Sequence, residues 1–254
     1  MAEKLHCVNL IAARYISTVN FSPMTVANSE PHLLKKPEQM PIPLEAGDRL
    51  DRETFHARYE AMGPGVRAEL IGGQVYMPSP VRRKHGRPHG LVVHWLFNYE
   101  KHTPGVETLD DTSALLATDS EPQPDAAMRI INGGQTTLTS DDYIEGCPEL
   151  VAEAASSTES YDLHAKLADY EKYGAIEYVV VVVRTCRVIW FRRNGDKLVE
   201  IAPDADGIHR SCAFPGLWLD PAALLAADLH RLGDVVDQGV ASPEHAAFVA
   251  RIKV

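Results

Sequence analysis

The sequence predicts an α/β fold, with a sheet buried under helices, and three features carry that reading. Val179 to Val183 is a run of five valines with none of the alternation of a half-exposed strand, so it fits a strand covered on both faces, at the centre of a sheet. Ahead of it, Leu150 to Ala155 reads as a strand and Tyr161 to Tyr173 as a helix closed by Gly174, which makes a strand–helix–strand order. Between Gly90 and His102, the residues Leu91, Trp95 and Tyr99 recur at helical spacing, with Val92, Leu96 and Phe97 alongside, and would lay one face on that sheet.

The remaining elements follow in order. Asp51 is placed to cap a short helix through Phe55 and Tyr59 to Met62, stopped by Gly63-Pro64-Gly65. Ala68 to Ile71 and Gln74 to Met77 are apolar-rich runs joined by Gly72-Gly73, a two-residue link suited to a tight hairpin that Pro78 and Pro80 end. Strands are expected at Val106 to Leu109, Ala114 to Ala117 and Asp125 to Ile131. A later hairpin joins Val188 to Phe191 with Leu198 to Ile201 through Asn194-Gly195-Asp196. From Asp220 the chain reads as two amphipathic helices, with Ser242 capping the second. This gives a mobile arm over residues 1–49, a main domain over 50–219 and a helical extension over 220–254.

Composition narrows the function. The chain has 254 residues and a formal charge of −10, which argues against broad, sequence-independent coating of nucleic acid, since such binding rests on Lys and Arg neutralising phosphates. Contact with DNA would therefore be local. The dense basic cluster Arg82, Arg83, Lys84, His85, Arg87 and His89 is where it would occur; a solvated helix approach explains the same residues. No apolar run nears the roughly 20 residues of a membrane span, and the N-terminus lacks a clean cleavage pattern, so a cytoplasmic protein without membrane contact is expected. Cys7, Cys147, Cys186 and Cys212 are scattered without a C-x-x-C pair, which suggests neither a zinc knuckle nor a disulfide framework.

Three charged residues stand where apolar neighbours are expected. Asp125 follows Pro124 and opens Ala126-Ala127-Met128, and Glu153 lies inside Leu150-Val151-Ala152-Glu153-Ala154-Ala155, where a lone carboxylate is costly to bury. Lys166 lies at the edge of the stripe Leu163, Leu167 and Tyr170, from which it reaches the core side; on spacing alone, a surface ion pair with Asp162 is the simpler reading. Two carboxylates on neighbouring strands with a lysine from the next helix suit phosphodiester hydrolysis. Hard oxygen ligands hold Mg²⁺ and leave room for water and phosphate, while an ammonium orients the nucleophile. Glu69 is a fourth candidate, near the metal-bound water, or an exposed strand carboxylate. His85, His89 and His94 as a zinc set is the weaker alternative, because Pro88 should disrupt their helical presentation.

Taken in order, Ala68-Glu69-Leu70-Ile71-Gly72-Gly73, Met77-Pro78 with His85, Gln123-Pro124-Asp125, Gly146-Cys147-Pro148-Glu149-Leu150-Val151-Ala152-Glu153 and Tyr161-Asp162-Leu163 with Lys166 resemble the Uma-type restriction endonucleases of the PD-(D/E)XK nuclease superfamily. The resemblance spans roughly residues 50–201. It implies a restriction-endonuclease-like central mixed sheet flanked by helices and a metal-dependent endonuclease acting on DNA. Asp125, Glu153 and Lys166 would be catalytic, with Glu69 beside them. Mg²⁺, for which Mn²⁺ could substitute, would be held by Asp125, Glu153 and the backbone carbonyl of Ala154, and His85, Arg83 and Lys84 would meet the substrate. In that superfamily the lysine usually lies two residues after the glutamate; here Ala155 holds that place and Lys166 on the following helix takes over the charge. A catalytically silent binding or regulatory module on the same fold is the competing reading. A homodimer is expected for an enzyme that cuts two strands.

Overall fold

The Gly72-Gly73 link turns as its sequence requires. In the computed structural model, which describes residues 42–77, 83–155 and 159–252 apart from the Lys84 side chain, both glycines have positive φ, 54° and 76°, the geometry of a type I′ turn. Strands β1 (Glu69–Ile71) and β2 (Gln74–Tyr76) pair antiparallel across it. Helix α1 (Arg52–Ala61) precedes them, and the Asp51 carboxylate accepts from the Thr54 N–H at 2.8 Å as its cap. The stretch 44–49, expected in the arm from its lack of periodicity, is anchored: Leu44 is buried, and Val75 exchanges backbone bonds of 2.8 Å with Gly47 and Asp48. The rest of the arm, residues 1–41, lies outside the described residues.

Helix α2 (Arg83–Glu100) begins seven residues before the expected Gly90 and runs through Pro88. Proline in a helix removes one N–H bond to the residue four positions back. Pro88 sits only in the second turn, and the buried stripe Leu91, Val92, Trp95, Leu96 and Tyr99 then secures the helix against the sheet. Phe97, expected beside that stripe, is exposed. The chain continues through β3 (Val106–Asp110), β4 (Ala114–Leu115), β5 (Ala126–Ile130), β6 (Thr137–Leu138), β7 (Ile144–Glu145) and β8 (Leu150–Ala155). A helical run follows: α3 (Glu159–Tyr161), a π-helical turn Asp162–Lys166, and α4 (Leu167–Tyr173), closed by Gly174 at φ 96°. Then come β9 (Glu177–Val182), β10 (Arg187–Asn194), β11 (Lys197–Ile201), β12 (His209–Arg210) and β13 (Trp218–Leu219).

Six strands form the main sheet in the order β11-β10-β9-β8-β5-β3, and β9, all six residues of it buried, is an inner strand as its valines require. Only β8 and β9 run parallel; every other pair in this sheet is antiparallel, so it is mixed. The helical run 159–173 is the crossover that the parallel pair needs. Ala114–Leu115, expected as a sheet strand, instead pairs with β7 in a small three-stranded sheet, β4-β7-β6.

One face of the main sheet packs on α2 and on the C-terminal helices; the other packs on α4. Those C-terminal helices number three, not two: α5 (Pro221–Ala226), α6 (Leu229–Val240) and α7 (Pro243–Ile252). The break comes where Ala227 turns left-handed (φ 57°) and the Asp228 carboxylate caps a new helix at the Arg231 N–H. Leu224, Leu232, Val236 and Phe248 enter the same core as the sheet, and the Ser242 hydroxyl accepts from the His245 N–H at 3.3 Å.

Helix α4 is tied to the hairpin by Asp169, whose buried carboxylate accepts from the Ser120 hydroxyl and the Gly72 N–H. Burial, only partly offset by these bonds, lifts its pKa from an ordinary 3.8 to about 6. Because the folded-state value is raised, the stability Asp169 adds is full below the ordinary value and lost as pH rises through about 6. Thermal melts of Asp169→Asn should therefore lack part of the wild-type decline between pH 4 and pH 6, by about 2–4 °C. Equal slopes for the two proteins would refute this.

Candidate active site

Antiparallel pairing of β5 with β8 places Ala126 opposite Ala152, and one further step sets residue 125 opposite residue 153. Sequence neighbours on a strand point to opposite faces, so Val151, Glu153 and Ala155 share the face that α4 covers. There the Glu153 carboxylate, 4 % exposed, accepts from the Lys166 ammonium at 2.8 Å and more distantly from the Tyr170 hydroxyl at 3.4 Å. Its other oxygen faces the Asp125 N–H at 3.4 Å, and the Asp125 carboxylate accepts from the Ala154 N–H at 2.7 Å. The two acids are thus interlocked through each other's backbone.

Lys166 is 3 % exposed and bridges two carboxylates, Glu153 and Glu69, each at 2.8 Å. Burial is costly for an ammonium, but the two acids more than offset it and hold its pKa well above the ordinary value. The surface pairing that spacing alone favoured is ruled out by this burial. Leu163 and Leu167, expected to face the core, are only partly buried, and Asp162, Lys166, Asp169 and Tyr170 take the inner face instead. The observed face keeps ordinary helical spacing (i, i+4, i+7, i+8) but is turned relative to the expected stripe, because its charged members have buried partners: Lys166 on Glu69 and Glu153, and Asp169 on Ser120. Glu69 is buried rather than exposed, and it also accepts from the Gln123 N–H at 2.7 Å.

Carboxylates outnumber cations here. Burial pushes the Glu153 pKa well above the ordinary range, with Asp125, Asp162 and Glu69 raising it further against the pull of Lys166. Burial also raises Asp125, but bonds from His85 and the Ala154 N–H outweigh it and hold that acid below its usual value. The site is therefore short of positive charge in a buried place rich in hard oxygen donors, and such a donor set fits a divalent ion.

The substrate-side candidates divide. His85 reaches Asp125, with Nε2 3.3 Å from Oδ1; its pKa is raised by that bond first, against burial, and by the nearby Ala154 carbonyl. Arg83 and Arg87 are exposed on the same end of α2, whereas Arg82 and the Lys84 side chain lie outside the described residues. Sequence reasoning kept His89 in the basic cluster but set it aside as a metal ligand on account of Pro88, yet its Nδ1 stands 3.8 Å from the same Asp125 oxygen and its Nε2 2.7 Å from Asp110. The i, i+4 spacing of His85 and His89 was the signal that could have found it. His94 is exposed and does not join them. Tyr161 was also missed: its ring lies 5.5 Å from the Lys166 nitrogen, and its buried hydroxyl has no partner among the described residues.

Among the described residues, no helix is long and apolar enough to cross a membrane. Cys147, Cys186 and Cys212 are free thiols. Comparison with known proteins adds three findings. No curated protein sequence matches the chain. A crystallised protein from Anabaena variabilis, described as a putative nuclease belonging to DUF820, superposes with a TM-score of 0.46 at 13% identity, over 66% of this chain and 90% of that one. The profile of the Uma2 family, "Putative restriction endonuclease", matches residues 52–222, which takes in the hairpin, the six-stranded sheet and all four members of the acid–lysine cluster. The chain belongs to the Uma2 family.

Proposed function

We propose that this protein is a metal-dependent endonuclease that hydrolyses phosphodiester bonds of DNA, with Asp125, Glu153, Lys166 and Glu69 as its working residues. The observation that supports the reading most strongly is the burial of Lys166 between Glu153 and Glu69, directly beside Asp125. A structural ion pair needs one acid; here an excess of acids is kept around one ammonium.

Asp125, Glu153 and the Ala154 carbonyl would hold the ion, Mg²⁺ or Mn²⁺. When bound, it supplies a water of lowered pKa and offsets charge on the phosphate. Lys166, fixed by its two carboxylates, presents a positive charge that orients the attacking water and favours the developing charge of the transition state. Glu69 positions Lys166 and, through the Gln123 N–H, links it to the segment that carries Asp125. The buried face of Tyr170 and Tyr178 below excludes bulk water from this ammonium and strengthens its field.

The test is cleavage of supercoiled plasmid and short duplexes with Mg²⁺ or Mn²⁺, comparing wild type with Asp125→Ala, Glu153→Gln and Lys166→Met. Loss of cutting in all three supports the assignment; equal cutting by all four proteins refutes it. Linear product formed without a nicked intermediate would indicate two centres acting together, as a symmetric pair of chains would provide.

Arg83 and Arg87 supply local positive charge beside the centre on a protein of net charge −10. Alanine at both should weaken duplex binding and lower the slope of log K against log salt by about 2, close to one unit for each phosphate that is no longer neutralised. An unchanged salt slope would place the DNA elsewhere.

A further inference from the structure

We propose that Asp125 also closes a second metal site with His85 and His89, bound by imidazole as well as by carboxylate and therefore suited to a borderline first-row ion such as Co²⁺ or Zn²⁺ in preference to Mg²⁺. The inference rests on the nuclease reading only for the use made of the ion; the site itself stands on geometry. One ligand atom from each of the three residues lies within 4.8 Å of the others, and all three side chains are partly buried. Asp125 Oδ1 stands 3.3 Å from His85 Nε2 and 3.8 Å from His89 Nδ1. Donors around a tetrahedral ion with bonds of about 2.0–2.2 Å are about 3.3–3.6 Å apart, so these separations bracket a coordination edge.

The second ring nitrogen of His89 identifies which atom faces the ion. Nε2 is 2.7 Å from Asp110 Oδ1, and when that nitrogen alone carries the proton the Nδ1 lone pair is directed at Asp125. In that tautomer Nδ1 and the Asp125 oxygen, 3.8 Å apart, are two acceptors that one cation would satisfy together. A carboxylate behind a metal-bound histidine is the usual means of fixing its ring, and Asp110 fills that position. The alternative set His89, Asp110 and Asp111 is less suited, because Arg67 takes both Asp111 oxygens at 3.2 and 2.6 Å. Mg²⁺ seeks oxygen ligands and keeps its waters, while imidazole suits the later first-row ions.

Titration of the metal-free full-length protein with CoCl₂, followed by visible absorption and calorimetry, tests this without any cleavage. Wild type should bind Co²⁺ with the intense visible bands of a low-symmetry nitrogen-bearing site. His85→Ala and His89→Ala should each weaken Co²⁺ by about 100-fold or more and Asp110→Ala by about 10-fold, with Mg²⁺ binding changed much less than Co²⁺ binding in each. Metal-free melts check folding, and His89→Phe repeats the test with ring volume retained. Co²⁺ binding that ignores both histidines, or a Co²⁺ spectrum of oxygen ligands alone, overturns the inference; plasmid cleavage with Mg²⁺ would then still support the nuclease. Histidine-dependent Co²⁺ binding without cleavage under any metal supports this site and counts against the nuclease reading instead.

Discussion

Lys166→Met is expected to destabilise the folded protein by about 3–5 kcal/mol, the usual loss when one partner of a buried ion pair is removed, and to abolish cleavage. Methionine fills nearly the same space, so the loss comes from charge and not from a void. It leaves the Glu69 and Glu153 carboxylates buried with their shared partner gone. The deficit should shrink on acidification, because Glu153, already pushed upward, then takes a proton. Adding Glu153→Gln to Lys166→Met should recover part of the stability and none of the activity. Urea melts of the single and double variants at pH 5 and pH 8 measure both statements. A Lys166→Met protein as stable as wild type would show that the ammonium is not what neutralises these acids.

Asp125→Asn should behave in the opposite way, folding nearly as well as wild type and losing about 10³-fold or more in cleavage rate, a barrier increase of roughly 4 kcal/mol. The amide oxygen still accepts from the Ala154 N–H, so the bond that joins the end of β8 to the start of β5 survives. What disappears is the negative charge between the His85 ring and the acid cluster. Asp125→Ala removes both and should lose a further ~1–3 kcal/mol of stability through the orphaned N–H. Single-turnover cleavage beside thermal melts separates the two contributions. Wild-type rates in Asp125→Asn would exclude this carboxylate from the chemistry.

The elements legible in the sequence are those set by local rules. Gly72-Gly73 dictates its own turn, Asp51 its own cap, and five valines admit only a strand covered on both sides. Asp125 and Glu153 stand out because carboxylates inside apolar runs need a reason, and the strand pairing that joins them follows from those runs. What stays hidden depends on residues distant in sequence. Nothing near Lys166 indicates that Glu69 and Glu153 will meet it, and Asp162, four residues away, offers a nearer partner. A hydrophobic pattern does not show that charged side chains will find buried partners, so Leu163 and Leu167 are expected on the face that Lys166 and Asp169 occupy. Pro88 reads as a break, although a single missing N–H bond early in an 18-residue helix is outweighed by the packing beyond it.

The hairpin that carries Glu69 forms a sheet of its own, outside the six-stranded ladder. It is joined to its surroundings by the backbone bonds of Leu70 with Glu121 and of Gly73 with Asp119, by Asp169 at Gly72, by Lys166 at Glu69, and by the packing of Leu70 and Val75 on Phe55 and Leu44. None of these ties belongs to the ladder of β9, so amide protons at Leu70 and Gly73 are expected to trade with solvent sooner than those of β9, which hydrogen exchange would measure.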